Sequence, residues 1–171
     1  MDKESFSQFY DKYLDKIFRF IYFRVDNEEN AQDLTARVFL NFWKKVNQKK
    51  SKKAVINNPV AFIYQSARHL LIDYYRQKPK RIISLDRLPA EITDGELLKE
   101  KSFVQEVETN LEMSLVKKAL KEIKKEYAEI VILYYLNDLS IQELSQIFHK
   151  REGTIRVMLH RAIEALKKRL S

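Results

Sequence analysis

Apolar residues recur at three- and four-residue steps along most of the chain, which is the spacing of amphipathic helices. The first stripe predicts a helix near the start of the chain, through Phe6, Phe9, Tyr13, Ile17, Phe20 and Ile21. A second stripe follows an N-cap at Asp26 or Asn27 and consists of Leu34, Val38, Phe39, Phe42 and Trp43. Residues 47–58 carry no such stripe and predict a basic loop.

A third helix is predicted after Asn58, a good N-cap residue, and Pro59, whose missing N–H does no harm at the first helical position. One side of this helix is apolar and holds Val60, Ile63, Tyr64, Ala67, Leu70, Leu71 and Tyr74. Another side gathers the polar residues Gln65, Arg68, His69 and Arg76. We expect Pro79 to end the helix.

The last third of the chain predicts a helix-turn-helix. It opens with one helix through Val116, Leu120, Ile123, Tyr127, Ile130, Val131 and Tyr134. Ser140 and Glu143 then have the S-x-x-E spacing of a capping box, which predicts a short helix from Ile141 to Phe148. After a tight break, the final helix begins at about Glu152, and its inward side consists of Ile155, Leu159, Ala162, Ile163 and Leu166. Its outward side is basic, as in DNA-reading helices.

Composition predicts an all-α fold and excludes several kinds of site. Two glycines and three prolines are too few to punctuate an all-β chain. Gly95 and Gly153 are too far apart for a phosphate-binding glycine loop, and the absence of cysteine excludes disulfides and thiolate metal sites. The three histidines lack partners at metal-ligand spacing. We therefore expect no metal, no cofactor and no catalytic residue, so an enzyme is the least supported class.

Charge divides the chain into three parts. The overall charge is +8, made up of +8 over residues 1–83, −4 over residues 84–110 and +4 over residues 111–171. The middle part also holds Pro89 and Gly95, so we predict two small basic helical domains, 1–83 and 111–171, joined by an acidic linker. A polar start and the lack of an 18-residue apolar run predict a cytoplasmic protein with no membrane insertion.

Three ordered segments together resemble a bacterial RNA polymerase sigma factor of the sigma-seventy family, in its small extracytoplasmic-function (ECF) branch. The segment NAQDLTARVFLNFW, residues 30–43, resembles the family's helix that binds core polymerase. The segment NPVAFIYQSARHLLIDYYR, residues 58–76, is similar to the helix that opens and reads the minus-ten element. The segments LSIQEL, GTIR and LHRA, within residues 139–162, are similar to the helix-turn-helix that reads the minus-thirty-five element.

The resemblance, together with charge and aromatic side chains, assigns candidate residues to each contact. For core polymerase these are Asp33, Arg37 and Asn41. For the minus-ten element and strand separation they are Lys49, Lys50, Lys52, Lys53, Phe62, Gln65, Arg68, His69, Tyr75, Arg76 and Lys78, since melting needs cations along phosphates and planes for unstacked bases. Tyr64 and Tyr74 lie on the apolar stripe and are interpreted as core residues.

The final helix supplies the candidates for the minus-thirty-five element, because its first outward residues meet base edges in the major groove. They are Lys150, Glu152, Thr154, Arg156, Val157, His160 and Arg161. The chain departs from the family pattern at Ala36, Arg37, His69, His149, Lys150, Arg151 and Met158. Met158 replaces a common arginine, and we expect it to contribute either packing or a methyl contact to DNA.

The resemblance implies an ECF sigma factor that binds the β and β′ subunits of core polymerase, directs it to promoter DNA and helps to melt the duplex. An anti-sigma factor is a further partner that the resemblance allows, and we expect a monomer when partners are absent. Two alternatives stay open from the residues alone. One is a stand-alone helix-turn-helix regulator, and the other is a sigma-like adaptor that binds polymerase without initiating.

Overall fold

The computed structural model describes residues 1–48, 56–85 and 111–171, and within these ranges the chain is helical and contains no strand. This confirms the predicted all-α class. The N-terminal half contains three helices, α1 (Lys3–Tyr22), α2 (Glu28–Val46) and α3 (Pro59–Leu85). The C-terminal half contains α4 (Leu111–Glu122), α5 (Lys125–Val131) with a π-helical turn (Ile132–Leu136), α6 (Ile141–Phe148) and α7 (Glu152–Leu170).

Side-chain caps fix where several helices begin, because they satisfy backbone N–H groups that the first turn leaves without partners. Asn27, rather than Asp26, caps α2 by accepting a hydrogen bond from the N–H of Asn30 at 2.8 Å. Asn58 accepts one from the N–H of Ala61 at 3.0 Å, at the start of α3. The predicted capping box of α6 is confirmed, since Ser140 and Glu143 each accept from the other's backbone N–H.

Two helix boundaries differ from the sequence prediction. The backbone of α3 remains helical through Pro79 to Leu85, although Pro79 has no N–H to donate. The helix predicted through Val116 and Tyr134 is instead two helices, separated at Lys124, which has extended dihedrals (φ −53°, ψ 138°). Neither glycine nor proline marks this break. Because α4 and α5 both pack against α7, the break lets each piece follow its own direction along that helix.

Aromatic side chains fill the core of the N-terminal half. Phe20, Phe42 and Tyr64 are completely buried, and the ring of Phe9 stacks on that of Phe42 with centroids 4.9 Å apart. Burying each such ring contributes about 1.5–3 kcal/mol. The tightly packed α1, α2 and α3 therefore form a rigid support for the polar side of α3.

The two halves pack on each other and share a continuous apolar core. α3 lies against α6, and α1 lies against the π-helical turn. That turn presents backbone and side-chain groups to α1: Arg19 donates to the carbonyl of Leu136 at 2.7 Å, and Asn137 donates to the carbonyl of Lys16 at 2.9 Å. The predicted domains are thus in direct contact, while most of the predicted acidic linker, residues 86–110, lies outside the described residues.

Candidate nucleic-acid interface

The final helix, α7, turns one side to its own half and the other to solvent. Ile155, Met158 and Ala162 are buried, and Leu159, Ile163 and Leu166 are half-buried beside them. The residues between them point outward, and the exposed ones include Glu152, Thr154, Arg156, Val157, His160 and Arg161. The structure therefore brings six of the seven candidates for the minus-thirty-five element onto one accessible surface. The seventh, Lys150, is half-buried in the turn before α7.

Arg156 is held by a neighbour on the same helix. Its guanidinium lies 3.3 Å from the carboxylate of Glu152, one turn earlier, and both side chains are about half exposed (61% and 47%). An exposed pair of this kind contributes little, about 0.3–0.5 kcal/mol. Arg156 can therefore leave Glu152 for a base edge or a phosphate at small cost.

Three departures from the family pattern have local structural consequences. His149 ends α6 in the left-handed region (φ 53°), where a glycine would be free of strain. Arg151 occupies the N-cap position of α7 and makes no side-chain capping bond. Met158 is buried, with 9% of its surface exposed, so its role is packing and not a methyl contact to DNA.

The polar side of α3 is partly exposed and partly in contact with the C-terminal half. His69 and Arg76 are exposed, and Arg76 lies 4.0 Å from Asp73 on the same helix. Gln65 and Arg68 instead contact α6 and α5, respectively. Only part of the predicted minus-ten surface is thus accessible in this arrangement.

The aromatic candidates on α3 are partly engaged. Phe62 is half-buried, with its ring 6.0 Å from that of Phe42. The hydroxyl of Tyr75 donates to the carbonyl of Arg24 at 2.6 Å, and Lys125 of α5 lies 3.9 Å from its ring centroid. Burial raises the pKa of Tyr75 to about 12. Tyr64 and Tyr74 are buried, which confirms their interpretation as core residues.

The outer face of α2 carries the polymerase candidates. Asp33, Arg37 and Asn41 are all exposed, and Asp33 lies 4.0 Å from Arg37 one turn along the helix. Leu40 lies beside them with half of its surface exposed, and the sequence analysis did not select it. The sequence could have identified Leu40 as a candidate for a protein contact, because it is an aliphatic residue outside the apolar stripe of α2.

Two buried polar residues between the halves, Glu129 and Asn137, were also not among the candidates selected from the sequence. Glu129 and Asn137 are 5% and 0% exposed, respectively, and each bonds to the N-terminal half. Glu129 lies in an apolar run, where a lone acid signals a partner elsewhere in the fold. Sequence alone could not identify that partner as Arg68.

The side chains of five candidate lysines lie outside the described part of the structure. Lys49, Lys50, Lys52 and Lys53 lie outside the described residues, and only the backbone of Lys78 is described, within α3. In the described ranges, no group of three or more His, Asp or Glu side chains could hold a metal ion. No helix of those ranges has the length and apolar character needed to cross a membrane.

Comparison with known proteins assigns both halves. Residues 9–81 match the model of sigma-70 region 2, and residues 113–166 match that of sigma-70 region 4. The chain is 27% identical to the ECF RNA polymerase sigma factor BldN of Streptomyces coelicolor over 99% of its own length, but it spans 61% of that protein. It is 25% identical to the ECF RNA polymerase sigma factor SigW of Bacillus subtilis, over 99% of this chain and 90% of that protein.

A solved structure shares the fold. The sigma factor RpoE of Bartonella quintana, crystallised with the anti-sigma factor NepR, superimposes with a TM-score of 0.66 at 20% identity, over 98% of this chain and 97% of that one. The two region models match this chain in order, and the relatives named above are ECF sigma factors. The chain belongs to the sigma-70 family, as an ECF sigma factor of transcription initiation.

Proposed function

We propose that this protein binds the β and β′ subunits of core RNA polymerase, places α3 on the minus-ten element and α7 on the minus-thirty-five element, and helps to separate the DNA strands. It acts as a dissociable specificity subunit with no reaction of its own. The observation that carries the proposal is the exposed start of α7, in the half that matches region 4.

The geometry of α7 suits base readout. Ile155, Met158 and Ala162 anchor one side to the domain, so Arg156, Val157 and His160 protrude where a recognition helix meets the major groove. A guanidinium pairs with the O6 and N7 edge of guanine, and a valine methyl group contacts the methyl group of thymine. Lys167 and Lys168 lie three turns later and are placed to touch phosphates only.

The face of α2 suits a protein partner. Leu40 is exposed among Asp33, Arg37 and Asn41, and a central apolar side chain with a polar rim is the usual anatomy of a binding surface. Arg37 forms an ion pair with Asp33 in the free chain. Because an exposed pair of this kind contributes little to stability, both side chains can exchange it for contacts with polymerase at small cost.

Further partners follow from the relatives. The Bartonella quintana neighbour is in complex with an anti-sigma factor. We infer that this chain has an anti-sigma partner of its own and works in the cytoplasm, where polymerase and promoter DNA are found.

Transcription in vitro tests the proposal. Purified chain added to core polymerase should direct initiation at a defined start in the DNA upstream of its own gene, whereas core alone should not. Specific duplex binding without core affinity would instead support a stand-alone regulator. Core binding without any transcript would support an adaptor.

A variant pair tests the α2 face. Leu40→Asp should reduce co-elution with core at least about tenfold, because it places a charge at the centre of the contact. Leu115→Asp on α4 is a matched control, since Leu115 is equally exposed (53% against 50%) but lies far from α2 in sequence. Equal loss in both variants would contradict the assignment of this face.

A further inference from the structure

Arg24 is a buried arginine whose charge has no hydrogen-bonded partner on one edge. It follows α1 directly, and only 4% of its surface is exposed. Its Nε and Nη2 atoms are buried, and within the part of the chain that the structure describes neither has a hydrogen-bond acceptor. A guanidinium keeps its charge inside a protein, so burial cannot be relieved by loss of a proton. A charged group without water needs an anion or other acceptors in its place.

The two atoms without partners lie on the same edge of the guanidinium. The N–H of Nε and one N–H of Nη2 extend in parallel from the planar group. Such a pair of donors matches two oxygen atoms of one carboxylate or phosphate, which accept both bonds at once. A chloride ion offers only one acceptor atom. The Nε–Nη2 edge is therefore suited to an oxyanion.

Contacts with α1 and α3 hold Arg24 in position. Its backbone N–H donates to the carbonyl of Ile21 at 2.9 Å, and its own carbonyl accepts from the hydroxyl of Tyr75 at 2.6 Å. The central carbon of the guanidinium lies 5.5 Å from the centroid of the Tyr75 ring. Because the guanidinium is already ordered, a ligand would lose little binding energy in arranging it.

The acids near this ring are engaged with other cations. Burial is the main cause that raises the pKa of Tyr75, and the charges of Glu129 and Asp26 add to the shift, so both carboxylates are close to it. Each carboxylate is already in an ion pair with a cation other than Arg24, at 2.8 Å and 3.4 Å, respectively. A second cation, the ammonium group of Lys125, lies 3.9 Å from the ring centroid. An oxyanion beside Arg24 would thus be attracted by both cations.

We propose that the Nε–Nη2 edge of Arg24 binds a small dissolved oxyanion of the phosphate or carboxylate type, at the end of α1 and next to Tyr75. Since only 4% of Arg24 is exposed, the backbone of DNA cannot reach this edge, and a free ion is the ligand. The bound ion connects the segment between α1 and α2 to α3 and stabilises the folded chain. The site is separate from the contacts with polymerase and DNA that the proposed function requires.

Melting temperature in the presence of inorganic phosphate, at constant ionic strength, tests the site. Phosphate at ten times its dissociation constant should raise the melting temperature of wild type by about 3–6 °C, whereas chloride should not. Arg24→Met keeps an apolar side chain but removes the guanidinium, so it should abolish this rise. Arg161→Met is the matched control, because Arg161 is exposed on α7 and its loss should leave the rise unchanged.

Two further comparisons distinguish ligand binding from a purely structural role of Arg24. Without oxyanions, Arg24→Met should melt at or above the temperature of wild type, because it removes a buried charge with two unpaired donors, and phosphate should reverse this order. Arg24→Lys keeps the charge but lacks the parallel donors, so titration calorimetry should show phosphate binding at least about tenfold weaker. Equal responses of wild type and Arg24→Met to phosphate would overturn the site. If Arg24→Met does not fold, equal phosphate affinity of wild type and Arg24→Lys would overturn it instead.

Discussion

The side-chain amide of Asn137 donates to the hydroxyl of Tyr64 at 3.1 Å, and neither residue has any solvent exposure. The same amide donates to the carbonyl of Lys16 at 2.9 Å. One asparagine from the C-terminal half thus joins both α1 and α3. Its position depends on the π-helical turn, whose backbone bond runs from the N–H of Asn137 to the carbonyl of Ile132.

Removing the Tyr64 hydroxyl should weaken this junction only modestly. Tyr64→Phe leaves the Asn137 amide its bond to Lys16, so we expect a loss of about 1 kcal/mol and a fall in melting temperature of about 2–4 °C. Asn137→Ala removes both bonds and leaves the Tyr64 hydroxyl without its donor, so it should cost more than Tyr64→Phe, about 2–3 kcal/mol. Thermal denaturation followed by circular dichroism measures both, and an equal effect of the two changes would contradict the arrangement.

Arg76 gives the cleanest test of strand separation. It is 78% exposed and its contact to Asp73 is weak, so Arg76→Glu should fold normally and bind core as wild type does. Loss of the cation at the DNA strand should reduce permanganate-reactive thymines at the promoter at least about tenfold. Lys3→Glu at the exposed start of α1 is the control with the same change in charge. Undiminished reactivity in Arg76→Glu would exclude the proposed contact.

Arg68 is unsuitable as a partner for that test. In the sequence pattern, Arg68 and Arg76 lie on the same polar side of α3. On that basis, Arg68→Glu and Arg76→Glu should be tolerated equally by the fold. The structure shows Arg68 bonded to Glu129 between the halves, so its reversal changes the packing of the halves as well as any DNA contact.

Arg156→Ala should change which minus-thirty-five sequences are used. A bidentate contact between arginine and guanine contributes about 1–3 kcal/mol of discrimination, and this side chain is exposed at the start of α7. Replacing Lys167 and Lys168 should instead weaken all sequences about equally and reduce the salt dependence. Selection of active promoters from a randomised upstream library distinguishes the two results. Identical preferences for wild type and Arg156→Ala would show that Arg156 does not read bases.

Arg151→Ser should stabilise the C-terminal half. The backbone of Arg151 (φ −65°, ψ 149°) is close to that of Ser140 (φ −72°, ψ 160°), which caps α6 with its hydroxyl. A serine hydroxyl at 151 can therefore accept the free N–H of Thr154, for a gain of about 0.5–2 kcal/mol. Ser140→Ala should lose a similar amount. Urea denaturation gives both values, and destabilisation by Arg151→Ser would show that the arginine side chain has another structural role.

Alkaline pH should lower the stability of the protein between about pH 10 and 12. Burial is the main cause that raises the pKa of Tyr74 to about 12, and the hydrogen bond from its hydroxyl to Asp26 adds to this effect. Burial also raises the pKa of Tyr75 to about 12. The unfolded chain releases these protons near pH 10, so stability is complete below pH 10 and falls as pH rises toward 12. Tyr75→Phe should flatten the fall, whereas Tyr135→Phe at an exposed site should not. Urea midpoints across this range measure the slope.

Local features of the fold were predictable from sequence because they depend on neighbours in the chain. The spacing of Leu34, Val38 and Phe42 set the buried side of α2, and Ser140 with Glu143 set the start of α6. The inward side of α7 followed from Ile155 and Ala162 in the same way. In each case a helical period or a cap acts within a few residues, so no tertiary contact is needed to recognise it.

The tertiary structure decided everything that joins distant parts of the chain. The break at Lys124 lies where no breaker residue occurs, because packing of α4 and α5 on α7 overrides helix propensity. Likewise, Arg68 and Glu129 are 61 positions apart, so the sequence marks Glu129 as an acid in an apolar run but does not identify Arg68 as its partner. Only their shared burial turns them into a pair, since removal from water makes each ion depend on the other.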